Sequence, residues 1–403
     1  MRTVAAGTIS QALIDTQSDV SKIPYIRIYI NSVDYSSRLL YLEHHEEPYR
    51  ERATIGLSNR DGTFDDLDLD GEEFEIGYGY DTTDHGGSAT DYVPTATLWV
   101  KSHSIISVQG ERIYQIYAEG MWSLLRVMKV LPGVTVWKAS MSVVADQRIN
   151  PTVPNGHVYI SSAVGTTDTT EPTWPLLGGV LDNDVFWTED GISSPYSNIF
   201  NATHTVEEII KLVVESMGWT WTPVVSGDSI VNVFKPIFVI GSGGYESGAA
   251  IIYRLIWMTY MYMRAKPSKT FELVYPQETD PVDVTYYSAQ APFFTEYDKQ
   301  SKLLEPNSII VLCNADPSTG ELNTEGYPVM TGVASDTDQI AKYVEIVEPF
   351  IDGSIREQLD ATNRAEAILA RLKQEISGGR VLLPFHDCQV ELYDFVKIVD
   401  TRI

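Results

Sequence analysis

Apolar residues recur at every second position in several stretches: Ile26, Ile28 and Ile30; Ala53, Ile55 and Leu57; Phe74, Ile76, Tyr78 and Tyr80. A period of two sends alternate side chains to opposite faces of a strand, so each stretch predicts a strand with one buried face. Asn59-Arg60-Asp61-Gly62 supplies turn chemistry that ends one of these strands. Further strands are predicted over 96–101, 104–108 and 113–117, the last two flanking the turn Gly110-Glu111. At 121–130 the period becomes helical, with Trp122, Leu125 and Met128 on one face. Residues 23–131 read as one barrel-like domain, and 1–22 as a small polar arm that reaches a neighbour or lies on its own domain.

The composition changes near Val134. Residues 132–195 are rich in Gly, Thr, Pro and Trp and carry Gly156-His157-Val158-Tyr159-Ile160, Glu171-Pro172-Thr173-Trp174-Pro175 and Asp184-Val185-Phe186-Trp187. A segment of this size fits a surface loop as an inserted small β module, because loop-closure entropy grows slowly with length. Thr205-Val206-Glu207-Glu208 is a capping box, followed by Ile209, Ile210, Val213 and Met217 at helical spacing and a stop at Gly218. Gly241-Ser242-Gly243-Gly244 reads as a linker, 248–263 as a buried helix, and 270–276 as a strand, making 196–282 a small α/β domain. From 283 to 403 a second β pattern appears, with strands at 308–313, 343–347, 380–383 and 390–399. It is interrupted by a helix at 361–376 with Ile368, Leu369, Leu372 and Ile376 on one face and Gly378-Gly379 as its stop. The expected fold class is therefore mainly β (α+β): two β-barrel domains, a small α/β domain and the inserted module.

With 403 residues, 43% of them apolar, the chain has ample material for packed cores in two to four domains. Fifty-five Asp plus Glu against 29 Lys plus Arg give a formal charge of −26. Such a surface repels nucleic acid and membrane headgroups, which argues against sequence-specific nucleic-acid binding. The apolar stretch 248–263 is broken by Arg254 and is short for a bilayer, so no stable membrane insertion is expected. No apolar signal-peptide core follows Arg2. Cys313 and Cys388 are too few for a disulfide framework and read as buried free thiols.

A strand ending Leu57-Ser58-Asn59-Arg60-Asp61-Gly62, an acidic loop, and then Phe74-Glu75-Ile76-Gly77-Tyr78-Gly79-Tyr80 resemble the first barrel of phage tail hub proteins, the baseplate-hub or late-control D family. Glu391-Leu392-Tyr393-Asp394-Phe395-Val396-Lys397-Ile398-Val399-Asp400 looks like the closing strands of the second barrel of the same family. The resemblance implies paired barrels side by side, so that a homotrimer presents six barrels to a hexameric tail tube or distal tail protein. It further implies a central spike or tape-measure partner, a place in the DNA-delivery channel, a virion location after assembly in the host cytoplasm, no cofactor and no enzyme activity. The segment 132–195 is similar to small modules of tail proteins and carbohydrate-binding modules. That makes a carbohydrate-binding adhesin, or a carbohydrate-active tail enzyme, the alternative function.

Candidate chemistry is sparse. Trp137, Tyr159, Trp174 and Trp187 could stack on sugar rings of a host surface glycan, or could form the core of a tiny domain, with Trp174 in its Pro-flanked turn the most exposed. Asp66, Asp68 and Asp70, followed by Gly71, match the first half of a calcium loop, but position twelve is Gly77 where a bidentate Glu is needed. In His44-His45-Glu46-Glu47 adjacent residues of a strand face opposite ways, and the His-Glu-x-x-His spacing is missing. His386-Asp387-Cys388 holds nucleophile-type residues in a row, although triads are made by spatial geometry. The glycine run 241–244 lacks the Lys-Ser/Thr of a phosphate loop, and among 55 acidic residues some pair will always lie at a glycosidase distance.

Overall fold

The computed structural model describes residues 3–4, 7–19, 21–108, 110–128, 134–145, 147–153, 155–192, 198–201, 204–224, 229–240, 246–257, 259–277, 280–313, 330–353, 355 and 357–402. The architecture is mainly β, with helices gathered in the middle and near the C-terminal end.

The predicted alternation in the first third produces an eight-stranded antiparallel sheet. Its path runs through strands Val33–Asp34, Pro24–Ile30, Glu73–Tyr80, Leu98–Val108, Glu111–Gly120, Arg50–Ser58 and Leu39–Glu47, with Asp91–Pro94 added beside Glu73–Tyr80. Among the described residues no ladder joins the two ends of this path. Ile28, Ile30, Ala53, Ile55, Leu57, Phe74 and Ile76 all point into one core with Leu98, Tyr114 and Ile116. Phe64 and Leu69, from the acidic loop, close that core from one side. Gly79 is required by the Asp91–Pro94 strand, because a Cβ there would overlap the Asp91 carbonyl. The arm contains a helix, Gln11–Ser18, capped by Ser10 and anchored on the sheet by buried Leu13 and by Ser10 Oγ donating to Asp91 at 2.9 Å.

The module at 134–192 is a five-stranded sheet in the order Val134–Val136, Arg148–Asn150, His157–Ser161, Val185–Ile192, Gly179–Asp182. It has its own core of Trp137, Val143, Ile149, Tyr159, Val185 and Trp187.

In the central region the capping box forms as expected. Thr205 N donates to Glu208 Oε2 at 2.7 Å, Glu208 N donates to Thr205 Oγ1 at 3.2 Å, and helix Val206–Ser216 follows. The helix expected over 248–263 is shorter. It spans Gly248–Ile256, and the chain then turns into strand Tyr262–Lys266. The turn is braced from far away in the sequence: Arg371 reaches in to donate to the carbonyls of Ile256, Thr259 and Met261 at 2.8, 3.3 and 3.3 Å. Thr259 closes the same turn locally, its N and Oγ1 both donating to Ile256 O at 2.9 Å, so the guanidinium braces a turn that the hydroxyl already caps. The linker at 241–244 lies outside the described residues.

The second β region consists of three small sheets. Ser308–Cys313 lies between Met330–Ser335, antiparallel, and Val347–Ile351, parallel. Val284–Tyr287 pairs in parallel with Val396–Val399, and Glu296–Ser301 pairs with Ser377–Leu382. Helix Gln358–Ile376 packs Ala361, Ala365, Ile368 and Leu369 onto Ile309, Val311 and Cys313. Three local expectations are corrected. Residues 337–342 form a helix capped by Asp336, so the strand expected at 343–347 starts only at Val347. Gly378 and Gly379 do not make a left-handed cap but enter the strand Ser377–Leu382, where Gly379 lets the Asp298 carbonyl come close. Residues 390–395 are not strand. Asp387 accepts from the amides of Gln389 and Val390, and Asp394 from that of Glu391, so carboxylates take the donors a ladder would use.

Both cysteines are buried free thiols.

Candidate functional site

Three parts of the chain meet around a cavity of about 60 Å³, lined among others by Glu46, Glu51, Trp122, Arg264, Phe271 and Glu391. The hairpin Leu39–Glu47/Arg50–Ser58 supplies one wall, strand Tyr262–Lys266 another, and the C-terminal turn a third. Charge is matched across it. Arg264 Nε donates to Glu272 at 2.7 Å and Arg264 Nη1 to Asp394 at 3.1 Å, while Lys266 bonds Glu391 at 2.7 and 2.8 Å. These side chains are largely buried, and a pair in such a place is held by mutual satisfaction: removing one partner strands the other charge. Its net arrangement is therefore a joint between the central and C-terminal regions.

On the hairpin beside this cavity, His44, Glu46 and Glu51 bring one ligand-type atom each within 4.8 Å of one another. His44 Nε2 is 3.2 Å from Glu51 Oε1, and His44 Nδ1 is 2.9 Å from the Tyr78 hydroxyl. The period of two puts His44 and Glu46 on one face, and the ladder places Glu51 directly opposite Glu46. Sequence reasoning stopped at the neighbours His44 and His45, which do face apart: His45 Nε2 bonds Glu43 at 2.8 Å instead. The missing signal was the turn near Tyr49, which folds Glu51 back over Glu46.

Asp66, Asp68 and Asp70 are all exposed. Asp68 and Asp70 come together with His103, not with Asp66, and Asp70 Oδ1 is 2.7 Å from His103 Nδ1. Asp68 Oδ1 also accepts from the Asp70 amide at 3.0 Å, an ordinary turn contact.

The module aromatics point inward. Trp187 and Tyr159 are fully buried and Trp137 is 7% exposed. Both indoles, Trp137 Nε1 at 2.8 Å and Trp187 Nε1 at 3.0 Å, donate to a single buried carboxylate, Asp182 Oδ2. The Tyr159 hydroxyl donates to Pro175 O at 2.8 Å. Trp174 is half-buried, packs against Tyr159 with ring centroids 4.5 Å apart, and donates to Glu171 at 2.8 Å.

His386, Asp387 and Cys388 face separate partners. His386 Nε2 donates to Gly79 O at 2.7 Å, Asp387 accepts from Gln17 and Tyr286, and the Cys388 amide donates to Gln17 Oε1 at 2.8 Å. The His386 ring stacks on Tyr80 with centroids 4.5 Å apart. Burial holds its pKa below the usual histidine value, so the ring is neutral in this seam. The three residues clamp the arm helix, the first sheet and the C-terminal turn together.

No family model matches the sequence, and no curated protein matches it. Solved structures do. A tail protein from Neisseria meningitidis MC58 superposes with a TM-score of 0.56 over 94% of this chain and 87% of that one, at 8% identity. The 43 kDa tail protein of prophage MuSo2 from Shewanella oneidensis gives 0.52 over 94% and 89%, at 10% identity. The fold is that of phage tail proteins. The likeness to these tail proteins covers 94% of the chain and is therefore not confined to one of its β regions. No helix among the described residues is long and apolar enough to cross a membrane.

Proposed function

We propose that this protein is a structural hub of a phage or phage-like tail tip. Three copies would form a ring that adapts a hexameric tail tube or distal tail ring to a trimeric tip and forms part of the channel through which DNA leaves. The observation that carries this reading is the shared fold with tail proteins over 94% of the chain. Two β regions in one chain support it, because a trimer of such chains offers six β units, and closed symmetric rings require matched surfaces of this kind. The charge of −26 per chain fits a channel that does not hold on to DNA, since carboxylates repel a phosphate backbone. In this reading the protein has no catalytic role, sits in the virion, and meets the tube on one side and a central tip or tape-measure protein on the other.

A second reading, host glycan binding by the module, has one residue in its favour. Trp174 is the least buried of the four aromatics, and the 2.8 Å bond to Glu171 fixes its plane.

The test is particle mass and symmetry by electron microscopy, for the purified protein alone and mixed with its tail-tube neighbour. A threefold ring with six β units around a pore supports the hub. A lasting monomer that ignores the tube overturns it and moves attention to glycan binding at Trp174.

A further inference from the structure

We propose that His44, Glu46 and Glu51 form a binding site for a divalent transition-metal ion of the zinc class, which staples the first hairpin beside the central cavity. The inference stands on this chain's own geometry and not on the tail reading.

Three observations point the same way. First, the donor set is one imidazole and two carboxylates, which suits borderline ions such as Zn²⁺ and leaves a fourth, open position. Two ligands of one tetrahedral ion lie about 3.4 Å apart when each bond is about 2.0–2.2 Å. His44 Nε2 and Glu51 Oε1, 3.2 Å apart, are already at that spacing, and all three ligand atoms fall within 4.8 Å. The cavity of about 60 Å³ touching Glu46 and Glu51 gives room for water at the open position.

Second, the imidazole is aimed. The Tyr78 hydroxyl, 2.9 Å from His44 Nδ1 and on the separate strand Glu73–Tyr80, holds the far ring nitrogen and directs Nε2 at the carboxylates. With an ion on Nε2, Nδ1 carries the proton and donates to Tyr78, the outer partner that metal-bound histidines characteristically have.

Third, the hairpin sets two like charges face to face. Glu46 and Glu51 are cross-strand partners, an arrangement that destabilises a sheet unless a cation lies between. Glu51 is also fixed over the backbone, with Oε2 only 2.7 Å from where a Cβ on Gly120 would stand. An ion here would tie strand Leu39–Glu47 to strand Arg50–Ser58 next to the joint with the central region.

The test is ZnCl₂ binding by calorimetry and thermal unfolding, on the full chain stripped with EDTA. Wild type is expected to bind one ion at this site and to melt at higher temperature with zinc. Glu51→Gln and His44→Gln should each weaken this binding at least about 100-fold, and Tyr78→Phe about 10-fold. A double variant at the other cluster, Asp70→Asn with His103→Asn, should keep the site intact. Zinc should raise the melting temperature of wild type and leave that of Glu51→Gln unchanged. Zinc binding unchanged in Glu51→Gln and His44→Gln, or lost in the Asp70/His103 variant, would overturn the proposal, as would no binding up to about 1 mM, the weak end of specific affinities.

Discussion

Asp182 shows how one residue decides the fate of two tryptophans. It is 2% exposed, and its two oxygens take the N–H groups of Trp137, Trp187 and the Asp168 backbone. A pattern of tryptophans and tyrosines in a small module is compatible with sugar stacking and with core packing alike, and nothing in the residue types separates the two. What separates them is where each indole N–H finds its acceptor. Here the acceptor is inside. Asp182→Ala should leave two indole donors and one amide without partners, at about 1–3 kcal/mol for each buried group. The expected outcome is loss of the module's structure, read as a red shift of tryptophan emission and rapid proteolysis within 134–192. Unchanged emission would show that those indoles are not buried on this carboxylate.

At the scale of elements, the helix over 358–376 illustrates agreement between pattern and packing. Its apolar face was legible from Ile368, Leu369, Leu372 and Ile376, since a period near 3.6 puts them on one stripe. The small residues on the same stripe carry as much weight. Ala361 and Ala365 are fully buried, and Gly332 on the facing strand admits the Ala361 carbonyl so closely that a Cβ there would overlap it. Gly332→Ala should therefore push the helix off its sheet and cost about 1–3 kcal/mol, the usual penalty of overpacking. Chemical denaturation would measure it, and a midpoint equal to wild type would mean that the contact yields without strain. Helix 248–256 illustrates the reverse. Its apolar run continues to Met263, yet Arg371 takes the carbonyls at its end and the chain leaves as a strand.

For the molecule as a whole, the first sheet and the C-terminal turn are joined by a neutral histidine. His386 lies between the Gly79 carbonyl, the Tyr80 and Tyr78 rings, the Asp387 carboxylate and Lys22. Burial depresses its pKa in the folded chain below 6.5, the partial offsets from Gly79 and Asp387 notwithstanding. The unfolded chain thus binds the proton more readily, so stability is full above about pH 6.5 and declines as the pH falls below it. His386→Gln should flatten the fall in melting temperature between about pH 7 and 5, over the range where an ordinary histidine titrates. An equally steep fall in the variant would assign the acid sensitivity to other groups.

The sequence by itself determined most strands of the first sheet, the capping-box helix, the helix expected at 361–376 and the separate composition of the module. These depend on local period, capping and turn chemistry, which act between residues a few positions apart. It also carried the resemblance to tail hub proteins, spread over both ends of the chain. The tertiary structure alone decided where the second β region divides into small sheets, what braces the turn after helix 248–256, and which carboxylates meet which ring nitrogens. Arg371 acts on residues 110 to 115 positions away, and the hairpin brings Glu51 to His44 only once its register is fixed. Contacts of that kind are set by pairing and packing across the fold: the partners of Arg371 lie beyond any local window, and those of His44 depend on a strand register that local period does not specify.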